Sequence, residues 1–60
     1  MKYLCTAHLH DGPVVATIEA DSFFEAIRAH RGNLMHEQET KIERDHVWNC
    51  RVTAAKVDEQ

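Results

Sequence analysis

The sequence predicts an α+β fold, in which one helix packs on a small antiparallel sheet of three to four strands, in the order β-β-α-(β)-β. Three observations predict it. Two alternating runs flank an Asp11-Gly12 turn, a Ser-x-x-Glu helix start follows at Ser22, and a third alternating run closes the chain. Strands with one apolar face need a covering layer, and a single helix on one face of a sheet is a stable way to supply it.

Taken in order, residues 3–9 alternate. Tyr3, Cys5, Ala7 and Leu9 face one way and Leu4, Thr6, His8 and His10 the other, which is the period of a strand. Asp11-Gly12 tolerates positive φ and marks a hairpin. The run from Val14 to Ala20 alternates in turn, and a turn centred on Asp11-Gly12 pairs Leu9 with Val14, Ala7 with Ala16, Cys5 with Ile18 and Tyr3 with Ala20. Those pairs unite the two apolar faces. Pro13 cannot donate the closing hydrogen bond, so a loosened loop is expected.

Ser22 and Glu25 form a capping box. Phe23, Ala26, Ile27 and His30 then share the inward side of a helix, with Phe24 at its edge and Glu25, Arg28 and Ala29 outside. Gly32, followed by Asn33, predicts its end. From Asn33 to Asp45 apolar residues are sparse, and a short edge strand over Thr40–Arg44 is expected, with a second short helix as the alternative. Val47 to Val57 predicts the last strand, with Trp48, Cys50, Val52 and Ala54 inward, before a frayed polar tail at Asp58-Glu59-Gln60.

Sixty residues make one compact domain, 1–60. A chain this short buries only roughly 60% of its unfolded surface, and a second copy would supply further burial. The beginning of the chain lacks an apolar run of signal-peptide length, no stretch approaches the ~20 apolar residues of a membrane span, and a cytoplasmic location follows as an expectation. Cys5 and Cys50 are then expected as free, buried thiols. Ten acidic against seven basic residues give a net charge of −3, which argues against a general nucleic-acid binder. Protonating all five histidines, whose reference pKa is about 6.5, would take that charge from −3 to about +2, so a charge-driven partnership should weaken in mild acid.

Candidate chemistry is thin. His8-x-His10 has metal-compatible spacing, but zinc needs two further ligands, which His36, Glu37 or His46 would supply only if the connection folded back. Neither Cys-x-x-Cys nor His-x-x-x-His spacing occurs, and no metal or other cofactor is expected. Ser22, His30 and Asp21 make a nucleophile set on paper, but Ser22 is committed to its cap, so no enzyme is predicted. His30 is expected as a partly buried histidine with one hydrogen-bond partner. The outward sheet face of Thr6, His8, Thr17, Asn49 and Arg51 lacks stacking aromatics for RNA, because Tyr3 and Trp48 are expected to face inward. That leaves an acidic array, Glu37, Glu39, Glu43 and Asp45 with Asp58 and Glu59 of the tail, as the predicted partner-binding surface, interrupted by Lys41 and Arg44.

The stretch Ile18-Glu19-Ala20-Asp21-Ser22 running into Phe23-Phe24-Glu25-Ala26-Ile27, in a tiny acidic chain, resembles the front half of small phage-encoded anti-CRISPR proteins. The resemblance implies an inhibitor in the host cytoplasm that binds a Cas effector or similar bacterial complex and sets acidic side chains where DNA should sit. It transfers no individual residue, since that group shares no motif. Met1-Lys2-Tyr3-Leu4, the Asp11-Gly12 hairpin and the Ser22-x-x-Glu25-Ala26 helix start are also similar to the front of HicB-type antitoxins, although the Pro-Asp-Leu-Pro-Gly element and the DNA-binding tail of that group are missing. The expectation is a non-enzymatic protein-binding inhibitor. An antitoxin-like or homodimerising module and a small histidine-based metal module are the alternatives.

Overall fold

Alternation at the front of the chain produces two eight-residue strands, β1 (Lys2–Leu9) and β2 (Gly12–Glu19). The computed structural model describes residues 1–57; the tail expected at Asp58-Glu59-Gln60 lies outside the described residues. Two helices follow, α1 (Phe23–Glu37) and α2 (Lys41–Asn49), and the last strand is β3 (Arg51–Lys56). The α+β class holds, with the order β-β-α-α-β. All three strands pair antiparallel in the order β2-β1-β3, so β1 is central and both later strands are edges.

The hairpin register differs from the expected one by two residues. Leu9 faces Gly12, Ala7 faces Val14, Cys5 faces Ala16 and Tyr3 faces Ile18. The cause is Pro13. A turn centred on Asp11-Gly12 would need Pro13 to donate its closing hydrogen bond, and proline has no N–H. Moving the turn back onto His10-Asp11 puts Gly12 at the closing position, where an N–H is present. Gly12 takes φ +125°, the one positive φ among the described residues. A two-residue slip keeps every side chain on its face, so alternation alone is blind to it.

Ser22 caps α1 as expected: its Oγ accepts from Glu25 N–H at 3.2 Å. Glu25 returns its carboxylate to the N–H of Asp21, at 3.3 Å, one residue before the capping-box position. Gly32 does not end the helix. It keeps a negative φ, and α1 runs on to Glu37. The reason is Leu34, which continues the row Ala26, His30, Leu34 and is buried. Burying a leucine side chain is worth about 1.5–3 kcal/mol, more than the roughly 1 kcal/mol that a mid-helix glycine costs. Gln38 then closes the helix, its side-chain amide donating to the Leu34 carbonyl at 3.0 Å.

The expected Thr40–Arg44 strand is helical. Thr40 Oγ1 accepts from Glu43 N–H at 3.1 Å, a second Thr-x-x-Glu start, and α2 continues through Val47, Trp48 and Asn49. The last strand is correspondingly shorter than Val47–Val57. Trp48 is therefore not a core residue; it is 60% exposed on α2.

Both helices cover the same sheet face. One core cluster joins Ala7, Leu34, Val47 and Val52; the other joins Tyr3, Cys5 and Ala26. Tyr3 also meets Phe23 with ring centroids 4.8 Å apart, although Phe23, expected inside, stays half exposed. The opposite sheet face is open and carries Leu4, Thr6, His8, Val15 and Thr17. Asn49, expected there, lies on α2.

Candidate functional site

The predicted acidic residues come from one end of the helical layer. Glu37 ends α1, Glu39 lies in the connection, Glu43 is in the first turn of α2 and Asp45 follows it. All four are exposed, and no ion pair engages their side chains among the described residues. Arg44, which interrupts them in sequence, is partly buried and turns its Nη1 onto the Gln38 carbonyl at 3.3 Å. Asp58 and Glu59 of the expected array lie outside the described residues.

Next to this end the β1–β2 turn and α2 enclose a cleft of about 390 Å³, lined by His8, His10, Asp45, His46, Asn49 and Cys50. His10 and His46 meet with ring centroids 5.0 Å apart, and His10 Nε2 lies 3.4 Å from Asp11 Oδ1. The fold-back that would bring His46 to the His-x-His pair therefore occurs for one imidazole. His8 turns to Thr53 instead, Nε2 to Oγ1 at 3.5 Å. Among the described residues no three His, Cys, Asp or Glu side chains stand together as a metal site.

The paper triad does not assemble. Ser22 Oγ is occupied by Glu25 N–H, while His30 Nε2 donates to the Val14 carbonyl at 3.0 Å. His30 is 2% exposed, buried more deeply than the partial burial expected, and it has the one hydrogen-bond partner expected of it.

The thiols separate in a way alternation did not predict. Cys5 is buried on β1, whereas Cys50 caps the end of α2, half-buried, with its Sγ donating to the Val47 carbonyl at 3.0 Å. Burial pushes the Cys5 thiol above its ordinary value of 9.0. A thiol raised in the folded state stabilises the fold below its ordinary pKa, and that contribution disappears as pH rises through the raised value. Titration with a chromogenic disulfide at pH 8 should modify Cys50 alone in the native protein. Cys5 should react only with unfolding. Equal rates for both thiols would contradict the burial of Cys5.

A second depression has a different character. Phe24, Ile27 and Met35 of α1 and Trp48 of α2 wall a groove of about 580 Å³, with Arg28 and Arg31 on its side. Arg31 is held there: its Nη2 donates to the Cys50 carbonyl at 3.0 Å, and its guanidinium carbon lies 6.0 Å from the Trp48 ring centroid. Only the tertiary structure reveals this groove, because alternation along the sequence points Trp48 into the core. The signal that was present in sequence is the Thr40-x-x-Glu43 cap, which places Trp48 on a helix.

Comparison with protein-family models, curated proteins and solved structures returned no match. No helix among the described residues is long and apolar enough to cross a membrane.

Proposed function

We propose that this chain is a non-enzymatic domain that works by binding another protein. The observation that carries it is the set of large apolar side chains left outside so small a core. Phe24 is 87% exposed and Trp48 60%, both along one groove, while Ile42, 71% exposed, lies at the histidine-lined cleft; large apolar groups left exposed beside polar neighbours mark interaction surfaces. The specific form we propose is an inhibitor of a bacterial nucleic-acid-handling complex, such as a CRISPR effector, acting in the host cytoplasm. The unpaired carboxylates of Glu37, Glu39, Glu43 and Asp45 support it, since they supply negative charge where a basic DNA groove would accept it.

Affinity capture from a bacterial lysate tests this reading. The chain should retain a stoichiometric protein partner, and that complex should bind less DNA than the partner alone. The combined change Glu37→Gln, Glu39→Gln, Glu43→Gln and Asp45→Asn should release the partner at least tenfold faster. Salt of about 1 M, where screening acts within ~3 Å, should do the same to the unmodified chain. No stoichiometric partner means the reading is wrong; a partner held equally by the neutralised variant removes the DNA-groove form.

A further inference from the structure

We infer that the groove between α1 and α2 is the docking site for an acidic amphipathic helix of a partner protein, whose backbone packs over Gly32 while a carboxylate meets Arg28 and Arg31. The inference rests on the protein-binding reading above and adds the contact surface and the chemistry of what it takes.

The shape comes from α1. Phe24, Ile27, Arg28, Arg31 and Met35 recur at helical spacing along one stripe, which spans about 16 Å of axis at ~1.5 Å per residue. Trp48 supplies the facing wall. A trough of three turns between two helices fits a third helix anchored by apolar side chains.

Gly32 is an independent observation. It sits inside α1 with a negative φ, and a Cβ placed on it would meet nothing within 4 Å. Neither backbone conformation nor packing within this domain requires glycine there, and any other residue except proline would favour the helix more. Gly32 lines the groove, where a missing side chain allows close approach by another backbone.

Charge selects the occupant. The whole chain carries −3, yet the cations at this groove are two arginines. Arg31 is pinned by Cys50 and keeps a buried Nε without an acceptor. Arg28 is exposed and has no ion pair among the described residues. Glu25, on the same wall, offsets one of the two positive charges and turns one carboxylate oxygen to the N–H of Asp21, so the groove keeps an excess of positive charge. Guanidinium groups pair best with carboxylates.

The test selects a phage-displayed random-peptide library on the immobilised full chain, then titrates the recovered peptides as synthetic molecules. Trp48 is the sole tryptophan, so its fluorescence reports the groove directly. Recovered peptides should combine Leu or Phe at helical spacing with Glu or Asp and should quench or shift Trp48 saturably. Lysine in place of their acidic residues should weaken binding at least tenfold, and Arg28→Glu should do the same to the parent peptides. Gly32→Ala is the sharpest arm. It should raise Tm by roughly 6–8 °C and yet weaken the peptides at least tenfold.

An unenriched library, basic peptides, or full affinity in Gly32→Ala would overturn the inference. So would binding to phosphatidylglycerol vesicles in place of peptides, or a dimer in light scattering that Trp48→Ala abolishes. If Gly32→Ala and Arg28→Glu both hold the lysate partner at the level of the unmodified chain, the protein-binding reading stands and the groove is not its contact surface.

Discussion

Val47→Asp should abolish the native fold at room temperature. Val47 is the one α2 residue that is fully buried, 1% exposed among Ala7, Leu34 and Val52, and so it fastens α2 to both α1 and the sheet. A carboxylate in that position has neither water nor a cation, and the resulting cost of about 4 kcal/mol or more is among the largest for a single substitution. A sixty-residue domain has only about 3–9 kcal/mol of total stability, at 0.05–0.15 kcal/mol per residue. Circular dichroism should lose the helical signal, and Trp48 emission should move toward that of the denatured chain. Val47→Ala, which removes two methyl groups and leaves no charge, should stay folded, with its urea midpoint lowered by an amount that corresponds to a loss of about 1–2.5 kcal/mol. An aspartate variant with an unchanged urea midpoint would show that α2 is not fastened through this side chain.

His30→Ala is the second large effect. The ring fills space under the sheet and donates from Nε2 to the Val14 carbonyl on edge strand β2, so it ties α1 to an edge that is otherwise paired on one side only. Removing it leaves a cavity and a carbonyl without its donor, a combined cost of about 2–4 kcal/mol. Urea denaturation should show a loss of that size. Hydrogen exchange should also accelerate along β2 ahead of β1, because β1 keeps β3 as a second neighbour. His30→Leu separates the two contributions: it restores most of the volume but not the donor, and should recover part of the loss. Full stability in His30→Ala would mean that the Val14 contact is incidental.

Much of the fold was legible because its determinants are close in the chain. The inward set Tyr3, Cys5 and Ala7 follows from alternation, and the Ser22 cap from a residue three positions away. His30 was placed correctly by helical spacing from Ala26. The acidic end was legible as composition, and its carboxylates are indeed exposed, but the folding of Arg44 onto Gln38 was not readable. The Thr40-x-x-Glu43 cap was present in the sequence and outweighed there by the alternation of Trp48, Cys50 and Val52. That alternation was accidental for its first two members, which belong to α2 and its cap.

The Ser22 helix start, the facing of β1 and the α+β class are properties the sequence determines by itself. Each depends on residues two to four positions apart, whose geometry is the same whatever the rest of the chain does. Tertiary structure decided the length of α1, the helical state of 41–49 and the groove beside Trp48. The run at 41–49 carries a local helix start at Thr40 but few apolar residues to sustain it, and the burial of Val47 against Ala7 and Val52 fixes the helix. Leu34 likewise carries α1 past Gly32 because it reaches the same cluster, which leaves that glycine half-buried along the lining of the groove. Burial energy comes from partners far along the chain, and only the assembled fold supplies them.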